Sequence, residues 1–332
     1  GLERAELAPD EHLIVFDEAQ RAWSADKIDD FYSKKLDRQS VDLSRSEPDM
    51  LVEIADRAPG WSAVLALVGG GQEIHTGEEA GMGQWADAVL RSGQREDWRI
   101  VGPPFLQGMF AERGLGYEID SRLNLNATLR THAAATYHRW VELVLDDRGR
   151  DLGEAAALAG QLRQAGFPIY VTRDLAAARG YLTQRFGGEP MRRYGLLASS
   201  KARNLDAYGV DPGFQATRRL KVDRWFNDEP ESELSCCQMQ DVITEFQCQG
   251  LEVDLPIVCW GDDFYWEDGW TMRPARLQRL VRDPFRLRTN AYRVLMTRGR
   301  EGLVVWVPAE PAGAMDATAE ALVRAGAVPV GG

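Results

Sequence analysis

Two adjacent carboxylates follow a short apolar run near the start of the chain. The run His12–Phe16 is predicted to be a buried strand, and Asp17 and Glu18 come directly after it. Because ligands of open α/β sheets bind at the carboxyl ends of strands, both acids lie where a nucleotide can bind. There an aspartate can hold Mg²⁺ through its water shell, and a glutamate can orient or deprotonate an attacking water. The alternative is a strand that ends in a solvated acidic turn.

A glycine run follows the next predicted strand. Ala63–Val68 is apolar and leads into Gly69–Gly71 and Gln72. Three glycines let the backbone approach a ligand closely, and a neutral glutamine amide can contact a terminal phosphate or the attacking water. The alternative is a simple turn. The segment is not a dinucleotide-binding fingerprint, because Ile74 stands where the third glycine is expected.

Two later segments each place an arginine beside a threonine, next to apolar residues. The first, 123–132, contains Arg130, and the second, 290–298, contains Arg298. An arginine can stabilise the charge on transferring phosphoryl oxygens without losing its own proton. Between them, the segment 244–254 reads T-E-F-Q-C-Q-G-L-E-V-D and lies just ahead of another strand-like run.

Strand-like apolar runs alternate with helix-like stretches along most of the chain. This alternation predicts an α/β fold of parallel sheets covered by helices. The predicted strands are His12–Phe16, Ala63–Val68, Arg99–Val101, Ile169–Thr172, Gly195–Ser199, Ile257–Trp260 and Leu303–Val307. The predicted helices are Asp49–Arg57, Trp85–Arg91, Thr131–Leu145, Leu152–Ala165, Leu175–Phe186, Asn290–Thr297 and Ala317–Ala325.

The chain length and one composition shift predict two domains. Prolines and glycines concentrate at 102–116, so the expected domains are 1–115 and 116–332. The charged segment 204–235 contains two prolines and few apolar runs. It is typical of an insertion rather than of core.

The formal net charge of -12 argues against a protein whose whole surface coats nucleic acid. A nucleic-acid site must therefore be a local groove. Nine arginines and a single acid, Asp283, lie within 273–300. The alternative for each arginine is a solvated position or an ion pair with the acidic loops around 262–263 and 267–268.

The four cysteines and the length of the apolar runs indicate the cellular compartment. No C-x-x-C is present, which favours reduced, buried thiols over a zinc ribbon or a disulfide framework. No apolar run approaches the roughly 20 residues of a membrane span. We therefore expect a cytoplasmic protein without membrane partners.

The order of these motifs resembles that of motifs II to VI of superfamily 1 helicases. The matching stretches read D-E-A-Q, G-G-G-Q-E-I, L-x-x-T-L-R-T, E-F-Q-C-Q-G-L-E-V-D and A-Y-R-V-L-M-T-R-G-R. The resemblance is greatest to the bacterial Schlafen group 3-like DNA/RNA helicase domain family, and it spans nearly the whole chain. It implies two RecA-like lobes of the P-loop NTPase type, with motifs II and III in the first and motifs IV to VI in the second.

The resemblance also implies an ATP site with Mg²⁺ and a nucleic-acid partner, either single-stranded DNA or RNA. The implied roles are Mg²⁺ binding by Asp17, activation of water by Glu18, contact with the γ-phosphate by Gln72, arginine fingers at Arg130 and Arg298, and contacts with the nucleotide by Gly250 and Glu252, the latter on the ribose. Donors supplied across a cleft couple hydrolysis to closure of the lobes.

No G-x-x-x-x-G-K-[ST] phosphate loop occurs in the 332 residues. We expect the first lobe to be incomplete and the loop to lie in a segment ahead of Gly1. The leading hypothesis is thus a fragment of a nucleic-acid-dependent motor ATPase. The alternatives are a nucleotide-binding switch that regulates a fused nuclease or defence partner, and a non-catalytic nucleic-acid-binding module.

Overall fold

In the computed structural model, the two parts of the chain fold around separate cores. The structure describes residues 9–29, 45–68, 81–124, 132–146, 151–273, 283–310 and 313–330. Contacts group 1–127 and 279–283 into one compact unit, and 128–278 and 284–332 into another. We call them unit 1 and unit 2 and describe each by itself.

Unit 1 contains two short parallel strand pairs. Strand β1 (Leu13–Phe16) pairs with β2 (Ala63–Ala66), and β3 (Val101–Gly102) pairs with β4 (Glu118–Ile119). Its helices are α1 (Glu47–Asp56), α2 (Gly83–Arg91) and α3 (Gln107–Ala111).

Local sequence signals explain where α1 begins and what α2 packs against. Ser46 caps α1 and forms a reciprocal capping box with Asp49. Trp85 on α2 packs edge-on against Phe16, and its Nε1 donates to the Ala19 carbonyl at 2.8 Å. These contacts fix the turn that follows β1.

Unit 2 is built on a six-stranded parallel sheet in the order β12-β5-β11-β8-β6-β7. Its strands are β5 (Ile169–Thr172), β6 (Leu196–Ala198), β7 (Val242–Thr244), β8 (Ile257–Cys259), β11 (Leu303–Trp306) and β12 (Val328–Pro329). An antiparallel hairpin, β9 (Phe264–Trp266) and β10 (Trp270–Met272), follows β8. The α-helices are α4 (His132–Val144), α5 (Leu152–Gln164), α6 (Leu175–Phe186), α7 (Phe214–Thr217), α8 (Val222–Asn227), α9 (Pro284–Met296) and α10 (Asp316–Arg324).

The core of unit 2 is rich in aromatic side chains. Trp260, Phe264 and Tyr292 are fully buried and pack against one another, and Trp260 and Phe264 stack on Trp270. All four cysteines are free and buried, as predicted.

The predicted α/β class is confirmed, and the main differences concern short elements. Strands β4, β7 and β12 and the hairpin β9–β10 were not predicted, because each strand has only two or three residues; β6 and β8 are as short but lie within longer apolar runs. Helix α9 begins at Pro284, six residues ahead of the predicted start, because polar residues fill its first turns. The segment 204–235 was expected to lie outside the core, yet Leu205 and Trp225 are buried; single apolar residues among charges hide such a contribution.

Candidate functional site

The acidic turn after β1 has an uncommon backbone conformation. Glu18 adopts φ 54° and ψ 44°, the left-handed region that non-glycine residues rarely enter. The Glu18 N–H donates to the Asp17 carboxylate at 2.9 Å, and the Ala19 N–H donates to the Leu67 carbonyl at 2.7 Å. The turn is therefore held at the carboxyl end of the neighbouring strand β2, and this conformation sets where the two carboxylates lie.

A buried glutamine positions the Glu18 carboxylate. The Gln20 side chain is 1% exposed, and its Nε2 donates to Glu18 Oε2. The sequence analysis assigned no role to Gln20. The one signal for it was its position two residues after Glu18, within the D-E-A-Q motif.

The donor set of this turn fits a divalent cation that also binds phosphate. Asp17 is exposed, and one of its carboxylate oxygens accepts the Glu18 amide. Within the described ranges, no group of three or more His, Cys, Asp or Glu side chains could hold a metal ion alone. Mg²⁺ commonly binds through one or two carboxylates, waters and substrate phosphates. Asp17 thus fits as a single protein ligand to a nucleotide-bound ion.

Two of the predicted site residues cannot be placed. Gln72 and Arg130 both lie outside the described residues. Their predicted roles stay predictions.

In unit 2, two predicted segments meet at the amino ends of neighbouring strands. The Val253 N–H donates to the Arg298 carbonyl at 3.0 Å, and the Arg300 N–H donates to the Val253 carbonyl at 2.9 Å. Because β8 and β11 begin just beyond them, Glu252 and Arg298 lie at the amino edge of the sheet. Gly250 has a φ of 76°, a conformation that favours glycine in this turn.

The Arg298 guanidinium contacts only neutral acceptors. Its Nε donates to the Val294 carbonyl at 3.0 Å, and its Nη1 lies 3.4 Å from the Leu251 carbonyl. Among the described residues, no carboxylate lies within ion-pair distance of it. An arginine that is held by carbonyls and keeps its positive charge uncompensated is suited to an anionic ligand.

The neighbouring side chains differ in what they contact. Glu252 lies 3.4 Å from Arg300 Nε, so this carboxylate already faces a cation. The buried Gln249 Nε2, one residue before Gly250, has no hydrogen-bond partner in the described part of the chain. Buried donors are normally satisfied, so this amide is a candidate ligand contact that sequence reasoning missed.

A second polar cluster lies at the opposite, carboxyl edge of the same sheet. Ser199 follows β6 and donates to the Asp263 carboxylate at 2.7 Å. Arg288 of α9 donates to Ser199 Oγ at 2.7 Å and lies 3.0 Å from Asp263. Ser200 donates its N–H and its hydroxyl to Glu245 at 2.7 and 2.9 Å. We call these five residues the carboxyl-edge cluster.

The sheet topology gives this cluster a special position. The chain leaves β6 toward β7 on one side, whereas it leaves β8 toward β11 on the other. Because β6 and β8 are neighbours, their carboxyl ends form a topological switch point, where open α/β sheets bind ligands.

The arginines within 273–300 differ in what they contact. Arg273 pairs with Asp262 at 2.6 Å, and Arg288 pairs with Asp263. For these two, the ion-pair alternative is confirmed. Arg276, Arg279 and Arg282 lie outside the described residues.

Glu245 gives unit 2 a testable pH dependence. Burial raises the pKa of this carboxyl, while Arg288 and the Ser200 hydrogen bonds act in the opposite direction. A raised folded-state pKa stabilises the fold below the unfolded pKa, and this contribution is lost as pH rises through the folded value. The wild type should therefore lose free energy of unfolding from pH 5 to pH 8 that Glu245→Gln does not lose. The difference in this free energy between the variant and the wild type, measured by urea unfolding, should shift in favour of the variant as the pH rises.

The exposed carboxylate Glu233 provides a matched control for this measurement. Glu233→Gln should leave the pH dependence unchanged. A Glu245→Gln variant whose difference from the wild type is the same at both pH values would contradict this account of the buried carboxyl.

The described fold is α/β with a six-stranded parallel sheet, and comparison with known families identifies its class. The family described as Schlafen group 3, DNA/RNA helicase domain, matches residues 3–309. The chain therefore belongs to the Schlafen group 3 helicase domain family, as its motifs predicted. No match was found among curated proteins. In the described part of the chain, no helix is both long and apolar enough to cross a bilayer.

Proposed function

We propose that this domain is part of a nucleic-acid-dependent motor ATPase. The observation that carries the proposal is the meeting of the Gly250–Glu252 turn with Arg298, whose guanidinium has carbonyl partners but, among the described residues, no carboxylate. Such an arginine can stabilise negative charge that develops on a transferring phosphoryl group.

The chemical roles follow from the side chains. Asp17 would hold Mg²⁺, which when bound neutralises phosphate charge. Glu18, fixed by Gln20, accepts a proton from the water that attacks the γ-phosphate. In this proposal Gln72 orients that water, and Arg130 and Arg298 supply positive charge to the phosphoryl oxygens.

The amino edge of unit 2 is the proposed nucleotide-facing edge. Glu252 can accept from a ribose hydroxyl, and the unsatisfied Gln249 amide can donate to a ligand oxygen. Gly250 leaves that approach open, since none of the described residues lies within 4 Å of a Cβ built there.

The carboxyl edge is the proposed nucleic-acid edge. Lys201 and Arg203 are exposed and closely follow the two serines of the carboxyl-edge cluster. A short basic rim fits a protein of net charge -12, which must bind phosphates locally.

Helix α9 links the two edges. Its 13 residues span roughly 20 Å, with Arg288 near one end and Arg298 just beyond the other. A displacement of this helix would therefore move side chains at both edges. In the proposed motor, the helix thus connects the nucleic-acid edge to the nucleotide-facing edge.

The 332-residue chain by itself should not hydrolyse ATP above background. Neither a glycine-rich phosphate cradle nor its lysine is present in this sequence, so the γ-phosphate would not be held in place. A phosphate-release assay with and without nucleic acid checks this. Turnover that is unaffected by Glu18→Gln would show that the site lies elsewhere.

Salt-dependent binding tests the nucleic-acid edge. Fluorescence anisotropy with labelled single-stranded DNA and RNA should give an affinity that falls with salt. Arg203→Glu should reduce the slope of log K against log salt by about one, as expected for loss of a phosphate contact.

Arg163→Glu, on α5, makes the same charge change at another exposed position and is the control. It should leave the salt slope unchanged. Equal effects of the two variants would show that the carboxyl edge is not the binding surface.

A further inference from the structure

Two of the four buried cysteines are adjacent in the sequence, and their side chains are in contact. Cys236 and Cys237 lie in a single 3₁₀ turn ahead of β7, and their Sγ atoms are 4.0 Å apart. The thiols of Cys248 and Cys259 each donate to a backbone carbonyl instead. We call the adjacent pair the dithiol. Neither the fold nor the proposed ATP site assigns it a role.

The two thiols of the pair differ in how they are enclosed. Cys236 is fully buried, and its Cβ lies 3.0 Å from the position that a Cβ would take at Gly195, so β6 packs closely against it. Cys237 is 6% exposed, and its Sγ lies 3.4 Å from the Arg192 carbonyl, in the segment ahead of β6. Cys237 is therefore the sulfur of the pair that a small solute can reach.

A positive charge without an acidic partner lies close to Cys237. The Arg193 guanidinium donates from Nε to the Phe226 carbonyl and from Nη1 to the Pro190 carbonyl, both at 2.7 Å. In the described part of unit 2, no carboxylate lies within ion-pair distance of this guanidinium. Its charge acts on the Cys237 sulfur, and a neighbouring arginine stabilises a thiolate over a thiol.

The two thiols of the pair titrate together, unlike the other two. The hydrogen bond from Cys236 lowers the pKa of Cys237, and Arg193 acts in the same direction, whereas burial opposes both. The same contact and burial raise the pKa of Cys236. For Cys248 and Cys259, burial raises the pKa. The pair therefore loses its first proton more readily than the isolated thiols, and the thiolate is the nucleophilic form of a cysteine.

We propose that the dithiol is a redox-modification site that a peroxide closes to a disulfide. The Cys237 thiolate attacks one peroxide oxygen and the O–O bond breaks, which leaves a sulfenic acid on Cys237 and a hydroxide that takes up a proton to become water. The Cys236 sulfur then attacks the Cys237 sulfur, the S–O bond breaks, and the Cys236 proton leaves with the hydroxide as a second water. One peroxide is reduced to two waters while two thiols are oxidised to one disulfide.

A disulfide between adjacent residues is strained, which makes it reversible. Neighbouring Cα atoms are about 3.8 Å apart, whereas the Cα atoms of most disulfides are roughly 4.4–6.8 Å apart. The two sulfurs must also approach by about 2 Å from their present distance, so the turn has to change its conformation. Strained disulfides are reduced easily and are typical of regulatory sites rather than of structural crosslinks.

The change of the turn is expected to reach the amino edge of unit 2. When the Cys237 sulfur moves toward its neighbour, it gives up its contact with the Arg192 carbonyl. The next residue, Arg193, donates its N–H to the Asp254 carboxylate and accepts from the Asp254 N–H, both at 2.7 Å. The residue before Asp254 is the one that pairs with the Arg298 carbonyl. Oxidation should therefore loosen that pairing, and only a resulting effect on ATP hydrolysis rests on the proposed function.

The test treats the reduced 332-residue chain with hydrogen peroxide, alkylates the remaining thiols and maps the peptides by mass spectrometry. We expect the peptide that contains the dithiol to lose two hydrogens and to escape alkylation, while Cys248 and Cys259 are alkylated. Dithiothreitol should restore both thiols. Hydrogen exchange of the Val253 amide, followed by NMR, should be faster by about tenfold or more in the oxidised chain and should slow again after reduction.

Single variants separate the two sulfurs. Cys236→Ser should stop at the sulfenic acid of Cys237, which dimedone captures. Cys237→Ser should give no product with dimedone at Cys236. Cys248→Ser is the matched control and should form the disulfide like the wild type.

The wild-type chain alone can overturn the proposal. A dithiol that stays reduced, that passes to sulfinic acid, or that pairs with Cys248 or Cys259 would contradict the modification site. A disulfide that forms without changing the exchange of the Val253 amide would contradict its link to the amino edge. None of these measurements involves ATP, so their failure is distinct from a failure of the proposed motor.

Discussion

Glu18→Gln should reduce ATP hydrolysis by roughly 10²–10⁴ in a form of the protein extended ahead of Gly1 to carry a phosphate-binding loop, as expected for the loss of a general base. Nucleotide binding should stay intact, because the substituted amide keeps the size of the side chain and an oxygen that can accept the hydrogen bond from Gln20. Steady-state phosphate release and a separate nucleotide-binding titration measure the two effects.

Glu11→Gln is the control for this experiment, because Glu11 is an exposed carboxylate of the same unit, ahead of β1. It should hydrolyse ATP like the wild type. If Glu18→Gln lowers binding and turnover in equal proportion, the carboxylate supports the site but does not activate water.

Arg298→Ala should slow hydrolysis by about 10³ or more in the same extended form, because an arginine finger stabilises charge only in the transition state. Arg298→Lys should not restore the rate, since an ammonium group lacks the planar fork that spans two phosphoryl oxygens. The fold should tolerate both changes, because the guanidinium contacts carbonyls and a threonine hydroxyl, and its loss leaves no carboxylate of the described residues unpaired.

The matched change Arg163→Ala should leave turnover unchanged. Wild-type rates in both Arg298 variants under nucleic-acid stimulation would show that the motif is misassigned. The finger would then be sought among Arg293, Arg300 and Arg130.

The parts of the fold that the sequence predicted well are those whose local pattern is strong. Leu175–Phe186 and Ile169–Thr172 were predicted to the residue, because each is a regular apolar pattern between clear stop signals. Strand β7 was missed because three buried residues after a charged segment carry no period. In unit 1, β1 and β2 were predicted to within two residues at each end and the predicted strand Arg99–Val101 overlaps β3, whereas β4, with only two residues, was not predicted.

The candidate site was predictable where chemistry follows a motif and not where it depends on topology. The sequence indicated Asp17 and Glu18 after a strand, but the left-handed turn and the Gln20 contact come from tertiary packing. The carboxyl-edge cluster combines residues from four separate segments, at 199–200, 245, 263 and 288. Only the order of the strands in the sheet brings them together, and no local pattern encodes that order.

The central claim is that nucleic acid stimulates ATP hydrolysis at a site to which this domain contributes Glu18 and Arg298. The most direct measurement is the steady-state hydrolysis rate of the extended form, with and without saturating single-stranded DNA or RNA. The account predicts a rate that rises with nucleic acid and that falls to background when Glu18 or Arg298 is replaced. A hydrolysis rate that neither nucleic acid changes would contradict a motor and would favour a nucleotide-binding switch. If the extended form neither hydrolyses nor binds the nucleotide, the motor account is also contradicted, and a nucleic-acid-binding module is favoured.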